Sequence, residues 1–442
     1  MGRCRRGRHP HDHRCRRQPE ERRRRRLIVA SDAARGYNAR VAADDAPDAL
    51  LAFRDRFPIT QRSNYLINNS LGAMPRAARD SVGRFLDQWD TRGVRSWGDG
   101  WWLLQEQVAD QIAKVLGVAK GSVSMHQNIA VALEMILSCF RFDGPRNGIV
   151  YADRNFPSDQ YIYEARAAHG AKLVRVPPAS DGFSTDGEQF ARHIDDTTLL
   201  VAIDHVMFRS SAIIDVEPIV AKAREVGAFV ILDTFHSVGT LPLDLAKLGV
   251  HAAVGGALKW LCGGPGNCFL YVHPDEAPKL SPAFTGWAAH KDPFAFSPAG
   301  QDLRDDGGRF NTGTPNVPAL YAGKEGVATI LEAGMANVRA RSQRLTTLLV
   351  REAERHGFEL RSPRDAERRG GHVAIAVPDG YAVCQALSAR EIVVDYRPDA
   401  GLRIAPHFYN TEDEVRAALQ AIRDILDSDE HARFKQAERK PG

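Results

Sequence analysis

Asp233 and Lys259 are the two residues whose types and settings suit chemistry carried out jointly. Asp233 closes the apolar run AFVIL inside DTFHSVG, and Lys259 follows the run AAVGG inside GGALKWLCGGPG. In an open α/β sheet, ligands gather at the carboxyl ends of strands, where both residues are expected. A buried carboxylate beside a pyridine nitrogen keeps that nitrogen protonated and makes the ring an electron sink, while a lysine amine condenses with an aldehyde to an imine. Together they are the minimum equipment of a pyridoxal phosphate (PLP) site. Taken singly, each has a plainer reading: an Asp at a strand end is commonly a helix cap or turn residue, and a Lys before a glycine-rich loop is commonly solvated.

Strands that end together are needed to position such a pair. From about Ala46 the composition becomes globular, and short apolar β-rich bursts alternate with helical segments, the pattern of a mostly parallel sheet covered by helices. Strands are predicted over 148–151, 172–176, 198–203, 229–232, 252–254 and 267–272, with helices such as 216–226 between them. Connections of that length give right-handed crossovers. After about Gly334 the pattern changes to a long amphipathic helix over 337–356, short strands over 372–377, 392–394 and 402–404, and a final helix over 412–426. The expected division is an arginine-rich tail (1–45), an N-terminal segment packing with the small domain (46–95), a large domain (96–334) and a small α+β domain (335–442).

The stretches Asn68-Asn69-Ser70-Leu71-Gly72-Ala73-Met74-Pro75, Val94-Arg95-Ser96-Trp97, Phe156-Pro157-Ser158-Asp159, the Asp233–Gly239 run, Gly286-Trp287, Gly313-Thr314-Pro315, Asp395-Tyr396-Arg397-Pro398 and Leu402-Arg403-Ile404-Ala405-Pro406 follow one another in the order of kynureninase motifs. The sequence resembles the class V aminotransferase group, and kynureninase within it, from about Asn64 to Leu426. The resemblance implies PLP fold type I, aspartate-aminotransferase-like: an α/β large domain with a mostly parallel seven-stranded sheet and a smaller C-terminal domain.

It also implies roles. Lys259, Asp233 and His236 form the catalytic set, with His236 beside the substrate or Asp233. Phe156 stacks on the pyridine ring, since a flat aromatic is a natural cover for a π-system, although a core phenylalanine is the alternative. Ser158 and Asp159 reach the cofactor from the same turn, and Asp159 can equally cap a helix over 160–168. Gln127 and Asn128 precede a helical run over 129–140 whose N-terminus suits a phosphate; relatives carry Ser or Thr at the Asn128 position. Trp287 and Thr314 reach the phosphate of a neighbouring subunit, which implies a homodimer with shared sites. Arg403 binds the substrate carboxylate through its planar fork, the alternative being an interdomain salt bridge. Ser70 joins Arg403 in the substrate-binding set, and Asp90, in the segment that lines the family's substrate pocket, adds an acidic contact of this chain's own.

The implied reaction is hydrolytic Cβ–Cγ cleavage of a kynurenine, giving alanine and an anthranilate. Two stretches depart from the family. Leu258 stands where kynureninases carry a tyrosine that contacts the phosphate and takes part in proton transfer, and 205–211 lacks the usual Asn-Tyr and Gly. The alternative is another PLP reaction on the same scaffold: a carbon–sulfur lyase, an epimerase-like enzyme or an aminotransferase. A desulfurase needs a nucleophilic cysteine on a mobile loop ahead of the C-terminal arginine, and no Cys stands between Cys384 and Arg403.

Composition narrows the remaining classes. Twelve arginines against Asp12, Glu20 and Glu21 give residues 1–26 a charge of +9, leaving −5 for the rest of a chain whose total is +4. The body is therefore mildly acidic, and specific nucleic-acid binding is not expected, although the tail invites nonspecific adhesion. The tail has too few apolar residues to fold alone. No run approaches the ~18 consecutive apolar residues of a membrane span, so a cytoplasmic, non-membrane enzyme is expected. The scattered cysteines imply reduced thiols. Cys4, His9, His11, His13 and Cys15 lack paired ligand spacing in a cation-repelling tail, and no metal is expected.

Overall fold

Among the described residues the strands are β1 (Asn64–Tyr65), β2 (Val123–His126), β3 (Gly148–Ala152), β4 (Lys172–Val176), β5 (Thr198–Asp204), β6 (Phe229–Asp233), β7 (Ala252–Gly256), β8 (Cys268–Val272), β9 (Glu359–Leu360), β10 (Val373–Ala376), β11 (Ile392–Val393), β12 (Asp395–Arg397) and β13 (Gly401–Ile404). This computed structural model describes residues 49–435, so the predicted tail over 1–45, including its Cys/His cluster, lies outside the described residues.

Seven strands form one sheet in the order β2-β8-β7-β6-β5-β3-β4. The pairs from β7 to β4 run parallel, whereas β8 is antiparallel to both β7 and β2. Alternation along each strand explains why the sheet needs covering on both faces. Val150, Ala152, Val201, Ile203, Val230 and Leu232 enter one buried cluster, and Ile149, Tyr151, Leu200, Ala202 and Ile231 enter another. Each fully buried Val, Leu or Ile contributes about 1.5–3 kcal/mol relative to exposure, so these two layers dominate the stability of the sheet.

Helix Trp101–Leu116 shows how the cover forms: Leu104, Val108, Ile112 and Val115 recur at helical spacing and are buried, and Gly117 in the left-handed region ends it. A second sheet, antiparallel in the order β12-β13-β10-β9, shares a separate core with helices Met335–Arg355, Gly380–Ala389 and Glu412–Asp427. The last helix starts with a capping box between Thr411 and Glu414.

The N-terminal segment divides between neighbours. β1 pairs in parallel with β11, and Arg54 bonds Glu414, so this part meets the C-terminal module. Helix Arg76–Arg92 instead packs on helix Val317–Ala333. The described residues from Leu50 onward form one compact unit.

Candidate active site

Strand direction brings the chemistry to one edge of the large sheet. β5 ends at Asp204, β6 at Asp233 and β7 at Gly256, and Asp204 is the register partner of Asp233. Because β8 is antiparallel, its first residue, Cys268, stands at that same edge beside Gly256 and His126. The chain leaving β2 therefore delivers Gln127, Asn128 and the start of helix Ile129–Leu137 there as well. These residues and Phe156, Phe235, His236, Leu258 and Lys259 line a cavity of about 270 Å³.

Lys259 faces this cavity with Nζ 2.8 Å from His236 Nε2, 4.5 Å from the Phe235 ring and 5.6 Å from the Phe156 ring. Burial, aided by Arg403, lowers its pKa to about 8 against the opposing pull of Asp233, Asp395 and Asp204. Burial also holds His236 well below the usual histidine range, with Lys259, His372 and Arg403 acting in the same direction. The imidazole is thus neutral, and the ammonium form of Lys259, which has no lone pair to offer, donates to its Nε2.

Asp233 accepts the Phe235 N–H through Oδ1, while burial raises its pKa. Asp159 is fully buried, and no donor reaches either of its oxygens. Burial and the neighbouring Asp233 and Asp204 charges push its pKa well above the usual carboxylate range.

The lysine loop is held from the side by the Asn68–Pro75 stretch. Gly72 N–H donates to the Leu258 carbonyl at 2.8 Å, and a Cβ on Gly72 would stand 2.0 Å from the Lys259 carbonyl oxygen. Only glycine permits that approach. Asn68 in turn donates to the Ala405 carbonyl at 2.8 Å, joining the loop's support to the chain just after β13.

The other sequence-predicted residues are spread unevenly. Phe156, half-buried on the cavity wall, immediately precedes helix Pro157–Ala165, and Asp159 belongs to that helix's first turn. Asp159 makes no capping bond; Ser158, in the same turn, does not line the cavity. Asn128 caps its helix by accepting the Val131 N–H at 3.0 Å. Thr314 lines an adjoining opening that shares Gln127 and Gly266 with the main cavity.

Trp287 is stacked on Trp102 and Phe296 outside the cavity of its own chain. Ser70 closes a turn through its N–H to Ile67 and is not on the wall. Asp90 is exposed, because its helix buries the face carrying Ala78, Ser81 and Phe85.

Arg403 is buried and already engaged. Nε donates to Asp395 Oδ1 at 2.8 Å, a second nitrogen donates to Asp395 Oδ2, and Nη1 donates to the Phe208 carbonyl at 2.6 Å. The pairing follows from register, since Asp395 on β12 lies opposite Arg403 on β13.

Sequence reasoning missed Asp204 and His372. Asp204 was one residue beyond the strand predicted over 198–203, where the rule of polar residues after strand ends points directly to it. His372 packs its ring 5.9 Å from that of His236 and is buried just before β10; no spacing in the sequence joins these two histidines.

A family model described as aminotransferase class-V matches residues 64–423. Among curated proteins, the chain is 32% identical over 401 residues to a kynureninase of Pseudomonas fluorescens, covering 87% of this chain and 94% of that one. It is 29% identical over 411 residues to a kynureninase of Shouchella clausii (strain KSM-K16), covering 88% and 95%. Among solved structures, the fold is similar to the apo cysteine desulfurase of Thermococcus onnurineus NA1, with a TM-score of 0.76, 20% identity and coverage of 85% of this chain and 98% of that chain. The cystine C–S lyase C-DES in complex with cysteine persulfide gives a TM-score of 0.76 at 20% identity, covering 83% and 99%.

Proposed function

The chain belongs to the aminotransferase class-V family, and from that membership we propose that it is a PLP-dependent enzyme performing kynureninase-type hydrolytic Cβ–Cγ cleavage, giving alanine and an anthranilate. The observation that carries this reading is Lys259 Nζ held 2.8 Å from His236 Nε2, beside the strand-end Asp233, in a chain whose kynureninase relatives match most of its length.

The residues present fit the cofactor. The buried Asp159 carboxyl, with no donor to either oxygen, stands beside Asp233 where a cationic partner would be held, an amine of lowered pKa faces an apolar-walled cavity, and a capped helix N-terminus opens onto it. Asp233 and Asp159 would hold the ring nitrogen, Phe156 would cover the ring, and Gln127, Asn128 and their helix N-terminus would hold the phosphate. When bound, PLP supplies an aldehyde that condenses with amines and a protonated ring that draws electron density from the substrate Cα.

Lys259 would take the substrate's α-proton and later return one, as a neutral amine, the form that burial already favours in the cofactor-free chain. Neutral His236 keeps Nζ aimed into the cavity by accepting its hydrogen bond. For the substrate carboxylate the proposal retains Arg403, whose Nη1 would leave the Phe208 carbonyl while Asp395 holds the rest of the guanidinium. A homodimer with shared sites is part of the same reading. It is supported by Trp287, Phe294 and Phe296, which stand exposed outside the chain's own cavity.

One observation favours a second reading, a carbon–sulfur lyase on the same cofactor site. The wall residue before Lys259 is Leu258, and among the described residues no Ser, Thr or Tyr lines the cavity to pass a proton. A desulfurase using Cys268 is disfavoured even though that thiol lines the cavity, because burial and then Asp233 push its pKa up to about 12.

The test is product analysis on PLP-loaded protein given L-kynurenine and 3-hydroxykynurenine. Stoichiometric alanine and a fluorescent anthranilate are expected, both lost in Lys259→Ala. A loaded protein that ignores both substrates and instead releases sulfur from a sulfur-containing amino acid would replace the first reading with the second.

A further inference from the structure

Asp204 stands apart from the residues already assigned. It is 3% exposed, lines the cavity, and has one oxygen, Oδ1, with no hydrogen-bond partner. Its position follows from the sheet. Asp204 and Asp233 are register partners on adjacent parallel strands, whose spacing is about 4.8 Å, so their side chains leave the same face side by side. That face is covered by helix Pro157–Ala165, which buries Tyr163 against it and lowers Asp159 between the two. Carboxylate oxygens of Asp159, Asp204 and Asp233 all lie within 4.8 Å of one another.

The second oxygen, Asp204 Oδ2, accepts the Phe156 N–H at 2.9 Å. One carboxyl thus fastens the residue expected over the ring, and the helix carrying Asp159, to the end of β5. We propose that Asp204 is a third carboxyl of the ring-nitrogen site, which joins Asp159 and Asp233 in holding the cationic nitrogen of the bound cofactor.

Electrostatics gives the proposal a signature besides turnover. The groups facing Asp204 are Asp159 and Tyr163 from the helix, Asp233 from β6 and Lys259 from the turn after β7. Three carboxylates this close and this dry cannot all ionise, so the site holds protons until a cation enters. Burial, then Asp233, raises Asp204 well above its usual value. A carboxyl whose folded pKa is raised costs stability above that pKa and none below its unfolded value, so the cofactor-free protein gains stability as pH falls through this window. Removing one carboxyl relieves that cost and weakens the grip on the cation.

Asp204→Asn is the discriminating variant, because its amide oxygen still accepts the Phe156 N–H. PLP dissociation constants from equilibrium dialysis are measured beside the Tm of the PLP-free and PLP-loaded forms, from pH 5 to pH 8. The expected result is PLP binding weakened about tenfold or more, as for loss of a hydrogen bond to a charged group. The Tm of the PLP-free variant is expected to rise above that of the unmutated chain at pH 8, with a smaller gain on acidification. Asp204→Ser, smaller than the native residue, provides the same comparison should the Asn variant not fold.

A PLP affinity within twofold of the unmutated chain, with the PLP-free Tm unchanged or lower, would overturn the proposal and leave Asp204 as a backbone anchor. Saturable Mg²⁺ or Mn²⁺ binding to the PLP-loaded chain, lost in Asp204→Asn, would also overturn it and give the cluster to a metal. The inference rests on the cofactor reading, and the failures are separable: a chain that takes up no PLP defeats that reading, whereas two variants that load equally well defeat only the role of Asp204.

Discussion

Lys259 titrates where the proposed reaction needs it. With a pKa near 8 instead of 10.5, its free amine dominates above about pH 8, and a neutral amine is the form that condenses with an aldehyde. The rate of PLP uptake by cofactor-free protein, followed by absorbance at varied pH, is expected to reach half its maximum near pH 8; a rise that begins only near pH 10 would contradict this. Arg403 makes a separate claim, because breaking a buried ion pair leaves an uncompensated charge. Arg403→Ala and Asp395→Ala are each expected to cost about 3–5 kcal/mol in urea unfolding of the cofactor-free protein, a loss that an arginine reserved for substrate would not show. At the cavity wall, Leu258→Tyr is expected to raise kcat on L-kynurenine by restoring a hydroxyl, with steady-state kinetics as the check. Asp233 and Lys259 were legible because they follow strand polarity, each standing at or just after the end of an apolar strand, whereas Phe156 and Asn128 came from the family resemblance, and the strand ahead of Asn128 was not foreseen. The engagement of Arg403 was illegible because it depends on which residue lies opposite on β12, and a sequence does not print register.

Among the elements, the parallel strands β3 to β7 were read to within a residue or two, since each is an apolar burst long enough to be buried on both faces. β2 was missed because VSMH alternates polar with apolar and is only four residues long; its burial comes from antiparallel pairing with β8. The strand expected over 392–394 is β11, which ends at Val393 and pairs with β1, and a strand not expected, β12, begins at Asp395 and pairs with β13. That division is imposed by partners distant in sequence. The long helix runs from Met335 to Arg355, two residues ahead of the start expected at 337, with Gly334 at its N-terminal boundary. The tightest positional demand on any element is at Gly72, where added bulk meets backbone that has nowhere to move. Gly72→Ala is expected to cost about 1–3 kcal/mol by displacing the lysine loop and to weaken PLP binding in parallel, measured by denaturation and dialysis on the same preparation.

At the scale of the molecule, the large sheet brings carboxylates and the lysine to one edge, Arg403 on β13 reaches the Phe208 carbonyl of the chain just beyond β5, and Asn68–Gly72 ties the lysine loop to the chain beyond β13. No helix among the described residues is long and apolar enough to cross a membrane. Removal of residues 1–26, which hold the +9 charge, is expected to leave PLP uptake unchanged while abolishing any retention on a polyanion column at low salt. The central claim is that Lys259, at the edge of this sheet, carries the cofactor. Its most direct test is to load the protein with PLP, reduce with borohydride, digest, and locate the fixed pyridoxyl group by mass spectrometry. A single modified peptide containing Ala257-Leu258-Lys259-Trp260 is expected, absent from Lys259→Ala; an adduct fixed on another lysine, or none in protein that retains its fold, would rule out Lys259 as the carrier.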